Sequence, residues 1–380
     1  MEQLLELDSV YNNSKYSSLY ASGRMLSLDN YEAYLRNFSS KPRKNPSPSF
    51  WNGKRVLITG SAGMVGSTIA DNLVALGAEV YCTVRHHATQ YLPNLNNALS
   101  AKKPIKLIEV DLRDYSKVSQ IMREVQPQVI FHEAAESFVP KSIDQPGYTV
   151  ENNCLSTVNV LEAVRKEAKD IQGITLACSS EQYGLVKDIT ELPVKETNPL
   201  RPTSPYGATK VFTESIGQAY YYMYKLPIII TRTFNQEGPR RGEHFFTSRI
   251  AKQVVDCLAG KSDEIVMGNP NSVRDFTHIA DSAVAKLYAI EYCERGEIYN
   301  ICSGKGITTG DYARLAVKLN NLENKVKIYV DTKLLRPYEK GEAFTDGFIG
   351  DNTKFVTKTG WQPTKSLKDI ILDSVAFYSG

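Results

Sequence analysis

Cysteine is scarce in this chain of 380 residues: there are six, and no two stand in a Cys-x-x-Cys pair. That spacing excludes a disulfide scaffold and a thiolate metal framework, and no metal site is expected. Cys82, Cys154, Cys178, Cys257, Cys293 and Cys302 are scattered, several in apolar runs, so they read as buried free thiols in a reducing compartment. Long apolar runs are also missing, which excludes a membrane span, and the acidic start Met1-Glu2-Gln3-Leu4-Leu5-Glu6 is unlike a signal peptide. A cytoplasmic location is expected. Neither sign of charge dominates: 45 Lys and Arg against 42 Asp and Glu give a net charge of +3. No basic stripe of the nucleic-acid-binding kind is present, so no nucleic acid and no membrane partner are expected.

What is present begins at Lys54. Short β-branched runs (Arg55 to Thr59, Glu79 to Val84, Ile105 to Val110, Gln128 to His132, Ile174 to Cys178, Ile228 to Thr233) alternate with amphipathic stretches such as Met64 to Leu76 and Thr157 to Ala168. Repeated strand-helix-strand units predict an α/β fold, a doubly wound parallel sheet of the Rossmann type. After Asn235 the pattern loosens, which predicts a smaller C-terminal substrate-binding lobe closing over the carboxyl ends of the strands. The domain division expected is 1–50 as N-terminal extension and linker, 51–235 as the cofactor-binding domain and 236–380 as mainly the substrate lobe. Within the extension one helix is expected, about Leu28 to Phe38. Its role is either an arm over an interface or cleft mouth, or a mobile extension.

Directly after the first predicted strand, Gly60-Ser61-Ala62-Gly63-Met64-Val65-Gly66 opens a helix. Strand, glycine triplet and helix in that order make a phosphate cradle, because glycine lets the backbone turn tightly and approach a pyrophosphate at a helix N-terminus. An acidic residue at the end of the second strand would hold an adenosine 2′-hydroxyl, but Arg85 stands there. An arginine fork pairs with a 2′-phosphate, so NADP is favoured over NAD.

Two further segments carry chemistry. Cys178-Ser179-Ser180-Glu181 brings two hydroxyls and a carboxylate to the carboxyl edge of the sheet; a helix cap is the plainer reading of the same residues. In Ser204-Pro205-Tyr206-Gly207-Ala208-Thr209-Lys210 the cap and proline place Tyr206 in a first helical turn, with Lys210 one turn on. The lysine charge is expected to favour the phenolate that a general base requires.

The Gly60–Gly66 spacing with Tyr206 and Lys210 resembles the extended short-chain dehydrogenase/reductase superfamily. Asp111-Leu112 resembles its adenine contact, and Ala134-Ala135 its wall beside the nicotinamide ribose, with Glu133 in place of the usual leucine. From about Lys54 onward the chain resembles the GDP-mannose 4,6-dehydratase family, through Ser179 and Glu181 and through Phe234-Asn235-Gln236-Glu237-Gly238-Pro239-Arg240-Arg241-Gly242-Glu243. Gln236 and Gly238 depart from that pattern. The resemblance implies four catalytic residues, Ser179, Glu181, Tyr206 and Lys210. It implies a nucleotide-sugar partner lined by Ser180, Asn235, Arg249, Arg274, Arg336 and Glu339, and a homodimer or homotetramer. The implied reaction is conversion of an NDP-hexose, foremost GDP-mannose, to the 4-keto-6-deoxy sugar through tightly bound NADP. A 4-keto-6-deoxy-sugar reductase, a 4-epimerase and a non-catalytic NADP-binding regulator are the alternatives.

Overall fold

In the computed structural model, which describes residues 4–38, 45–85, 92–335 and 348–380, the β-branched runs become strands β1 (Arg55–Thr59), β2 (Glu79–Val84), β3 (Lys106–Glu109), β4 (Val129–His132), β5 (Gly173–Ser179) and β6 (Ile228–Thr233). A seventh strand, β7 (Ile298–Ile301), returns from the second half of the chain. The order across the sheet is β3-β2-β1-β4-β5-β6-β7, with every pairing parallel. Strand order reverses between β1 and β4, and a ligand crevice opens outside the carboxyl ends at such a point.

The period-two alternation of a strand explains the two layers. Val56 and Ile58 join the core on one face while Leu57, between them, joins the core on the other; Val129 and Phe131 divide from Ile130 in the same way. Helices along the chain are α1 (Met64–Ala75), α2 (Tyr115–Val125), α3 (Ser156–Glu167), α4 (Pro205–Tyr224), α5 (Phe246–Leu258) and α6 (Ile279–Tyr292). α1 and α6 cover the first face, α2 and α3 the second. Each fully buried Val, Leu or Ile contributes roughly 1.5–3 kcal/mol. α4 lies close on β5 because of Gly217, where a Cβ would sit 2.4 Å from Leu176 Cδ1.

The smaller lobe has its own core, built by α5, the helices Thr309–Leu319 and Leu367–Ser379, and short strands. Residues 4–38 are woven into this lobe. Leu5–Glu6 pairs antiparallel with Lys327–Val330, and Met25–Leu26 pairs parallel with Gly306–Thr308. The expected helix forms at Leu28–Asn37, held by a capping box between Ser27 and Asn30. Tyr16, Leu19 and Met25 pack against Tyr183, Phe234 and Val273, so the N-terminal segment supports the floor of the second lobe. Among the described residues no helix is long and apolar enough to cross a membrane.

Candidate active site

The glycines of the first turn are there for contact. Gly60 has φ +68°, and a Cβ on it would lie 2.7 Å from the Ala134 backbone; one on Gly66 would lie 2.6 Å from the Gly60 carbonyl oxygen. The bare turn lets α1 start at Met64, with Gly63 as its N-cap, and point its first N–H groups into a cleft of about 1060 Å³. A cradle that a single methyl would fill fits the pyrophosphate of a dinucleotide. Gly60, Gly63, Met64, Val65, Gly66, Arg85, Asp111, Leu112, Ala134 and Ala135 all line this cleft. Arg85 stands at its outer end, donating to Tyr148 Oη at 2.8 Å and Asn152 Oδ1 at 2.6 Å. The Arg113 side chain, bonding Asp111, holds that carboxyl below the usual carboxylate range.

The same cleft receives Ser179, Ser180, Glu181, Tyr206 and Lys210. Ser179 ends β5 and caps the single turn Ser180–Gln182, accepting from Glu181 N at 3.2 Å, while Gln182 Oε1 accepts from Ser179 N at 3.0 Å. The cap is therefore real, and it also aims Glu181 inward. Gln182 is fastened from below, donating to Glu214 Oε2 at 2.9 Å; Glu214 in turn pairs with Arg232 at 2.6 Å, both side chains being buried. Ser204 caps α4 by accepting from Gly207 N at 3.0 Å, a contact worth about 1 kcal/mol. A Cβ on Gly207 would be 2.6 Å from the Glu181 carbonyl oxygen. That glycine is what lets the Tyr206 turn meet the Glu181 turn.

The electrostatics of Tyr206 differ from the sequence expectation. Burial pushes its phenol well above the usual tyrosine range; the Ser179 hydroxyl and, more weakly, the Arg241 guanidinium pull it back, while the Glu181 charge adds to the rise. Lys210 Nζ lies 5.8 Å from the ring centroid, within cation–π range, and donates to the Ala177 carbonyl at 2.6 Å, so the strand and the tyrosine ring share its charge. Burial also lowers the Lys210 ammonium below its ordinary value.

From the second lobe, Asn235, Arg249 and Arg274 reach the cleft. Arg274 is fixed by its neighbour: the buried Asp275 accepts from Ser303 N at 2.8 Å, Gly304 N at 2.9 Å and Gly350 N at 3.2 Å. Arg336 and Glu339 lie outside the described residues. Three features escaped the sequence reading. Arg241 lies 3.6 Å from the centroid of the Phe245 ring, beneath an aromatic group in which His244 is 4.5 Å from Phe138 and 4.4 Å from Phe245. Glu136 pairs with Lys141 at 2.6 Å. Glu133 meets Lys286, a lysine alone among Ala283, Val284, Ala285, Leu287 and Tyr288, and such isolation in an apolar run was the available signal. No cluster of metal-ligating side chains occurs among the described residues.

The family model for GDP-mannose 4,6-dehydratase matches residues 57–373. The chain belongs to this family. Among relatives named GDP-mannose 4,6-dehydratase, the Homo sapiens protein is 31% identical over 342 residues, covering 84% of this chain and 90% of that one. The Yersinia enterocolitica protein is 28% identical over 355 residues, covering 85% and 93%. RMD from Pseudomonas aeruginosa, solved with NADPH, is 22% identical with a TM-score of 0.70 and covers 86% of this chain and 99% of that one, a likeness of fold. The family match spans the glycine turn's helix, the Ser179–Glu181 and Tyr206 turns and most of the second lobe. Residues 4–38, with their strands on that lobe, precede it.

Proposed function

We propose that this chain is a nucleotide-sugar 4,6-dehydratase acting on GDP-mannose, with NADP as its resident cofactor. The observation that carries the reading is the meeting of the Ser179–Glu181 turn with the Tyr206 turn across Gly207, which gives one cleft both a hydroxyl-directed base and a carboxylate. The hydride taken from sugar carbon 4 and returned at carbon 6 is the chemistry that a bound nicotinamide supplies. Tyr206 Oη, as the phenolate that Ser179 and the Lys210 and Arg241 charges favour against burial, takes the proton of the carbon 4 hydroxyl. The resulting ketone acidifies carbon 5; the Glu181 carboxylate takes that proton, and with the carbon 6 hydroxyl it leaves as water. The proton from the carbon 4 hydroxyl balances the one needed at carbon 5. Lys210 orients the nicotinamide ribose, and Arg249 and Arg274 are the cations offered to the diphosphate.

Incubation with GDP-mannose and no added cofactor should yield the 4-keto-6-deoxy product by mass with no net change in reduced-nicotinamide absorbance. Steady NADPH consumption with a keto sugar would instead establish the reductase. GDP-, CDP-, UDP- and dTDP-sugars run in parallel test the base. Arg85→Ala should weaken NADP binding roughly 10–100-fold, the loss of a charge-assisted contact, with NAD little affected; equal weakening of both would overturn the cofactor assignment.

A cytoplasmic setting suits the five buried free thiols. The exposed apolar side chains Val150 and Leu155 and, on α4, Phe212, Tyr222 and Met223 support a homo-oligomer; sedimentation of Tyr222→Glu at lower mass than the parent would test it.

A further inference from the structure

Glu133 and Lys286 form a buried ion pair that the reaction above does not use. Their charged atoms are 3.1 Å apart, with side-chain exposures of 4% and 0%. The contact is ionic rather than an aligned hydrogen bond: Glu133 Oε1 has no hydrogen-bond partner among the described residues, and Lys286 Nζ lies 3.3 Å from Thr231 Oγ1. Sheet register explains why this matters to the site. Leu176 of β5 is flanked by His132 of β4 and Ile230 of β6, so the next residues, Glu133, Ala177 and Thr231, stand abreast, just past the end of β4 and two residues short of the ends of β5 and β6. The middle one, through its carbonyl, holds the Lys210 ammonium at 2.6 Å; the outer two hold or carry the pair.

We propose that the Glu133–Lys286 pair is a positioning device for Lys210, setting the electrostatic potential around its ammonium and so its grip on the nicotinamide ribose. The proposal rests on reading the cleft as a dinucleotide site. Glu133 raises the proton affinity of Lys210 and Lys286 lowers it. The other groups facing Lys210 are thiols or neutral: Cys178 from β5, Cys154 from the turn before α3, and His132 from β4, whose imidazole burial pushes down to about 3. The Tyr206 ring centroid stands 5.8 Å from Lys210 Nζ, its buried phenol held above the usual tyrosine range and so neutral; beyond these groups Glu214 and Arg232 neutralise each other, and Glu181 and Arg241 line the same cleft. Opposed charges at one end of the lysine therefore cancel, and removing one leaves the other acting alone.

The test is NADP⁺ binding by the full chain, followed by intrinsic fluorescence across alkaline pH without any sugar nucleotide. Affinity should fall as Lys210 loses its proton, and Lys210→Met should abolish that midpoint. Glu133→Gln should move the midpoint down by roughly one pH unit, and adding Lys286→Met to it should restore the parental value. An unmoved midpoint in Glu133→Gln, or a double variant no different from the single, overturns the proposal. If Glu133→Gln does not fold, Lys286→Met alone is read: an upward move supports the pair, and an unmoved or lowered midpoint refutes it. Because no sugar enters the assay, failure of the dehydratase reading would appear separately, as unaltered GDP-mannose beside an intact binding profile.

Discussion

Glu181→Gln is expected to lower dehydration of GDP-mannose by roughly 10²–10⁴-fold, the usual contribution of a positioned general base, while binding of NADP and of the sugar nucleotide stays as in the parent. The substitution keeps the shape of the side chain, and the contacts that hold its turn use the Glu181 backbone N–H and the Ser179 and Gln182 side chains, so geometry is preserved. On the proposed mechanism the capacity to take the carbon 5 proton is lost. Oxidation at carbon 4 is assigned to Tyr206 and Ser179, which remain, and removing the Glu181 charge takes away one of the influences that raise the Tyr206 phenol, so the first half of the reaction is not impeded. The variant should therefore stall after the first half of the reaction, with reduced nicotinamide accumulating on the protein when GDP-mannose is mixed in a stopped-flow absorbance experiment. Parental turnover would refute the role given to Glu181; loss of the first oxidation as well would move that role to substrate placement.

How far the site could be foreseen follows from which residues are constrained locally. Val56, Leu57 and Ile58 are buried on both faces of a parallel strand, and continuous β-branched runs of this kind announce themselves. Gly60 and Gly66 were legible because a backbone approach under 3 Å leaves glycine as the only choice. Ser204 and Pro205 marked the start of α4 through capping chemistry, which acts over three residues. Contacts between distant segments leave no such mark. Leu5–Glu6 and Met25–Leu26 are two-residue strands with no periodicity, and their partners lie some 280 to 325 residues away, as the pairs Leu26 with Ile307 and Leu5 with Val330 give. The environment of Tyr206 is only partly legible for a related reason. Sequence spacing puts Lys210 on the same helical face, and its ammonium lies 5.8 Å from the ring while bonding a carbonyl on β5, but the burial of the phenol and a second cation, Arg241 from the loop after β6, depend on distant segments.

A second large effect is expected from the support beneath the Ser179–Glu181 turn. Glu214→Ala should cost about 3–5 kcal/mol of stability, because it leaves the Arg232 guanidinium buried without its counter-charge. Arg232 has 3% side-chain exposure and spends two nitrogens on Glu214, at 2.6 and 2.8 Å; its remaining donors reach Tyr183 Oη at 3.0 Å and the Glu196 carbonyl at 2.9 Å, which are neutral acceptors. An exposed ion pair would lose at most about 1 kcal/mol, so urea unfolding separates the two cases. The double replacement Glu214→Leu with Arg232→Met should recover most of the loss, since an apolar pair of similar volume carries no stranded charge. Activity should not recover with it. Gln182 Nε2 donates to Glu214 Oε2, and the other end of that amide holds Ser179 N, so a stable double variant still lacks the anchor that orients Ser179 and Glu181. A double variant regaining both stability and turnover would mean that the Ser179–Glu181 turn keeps its catalytic shape without the buried pair.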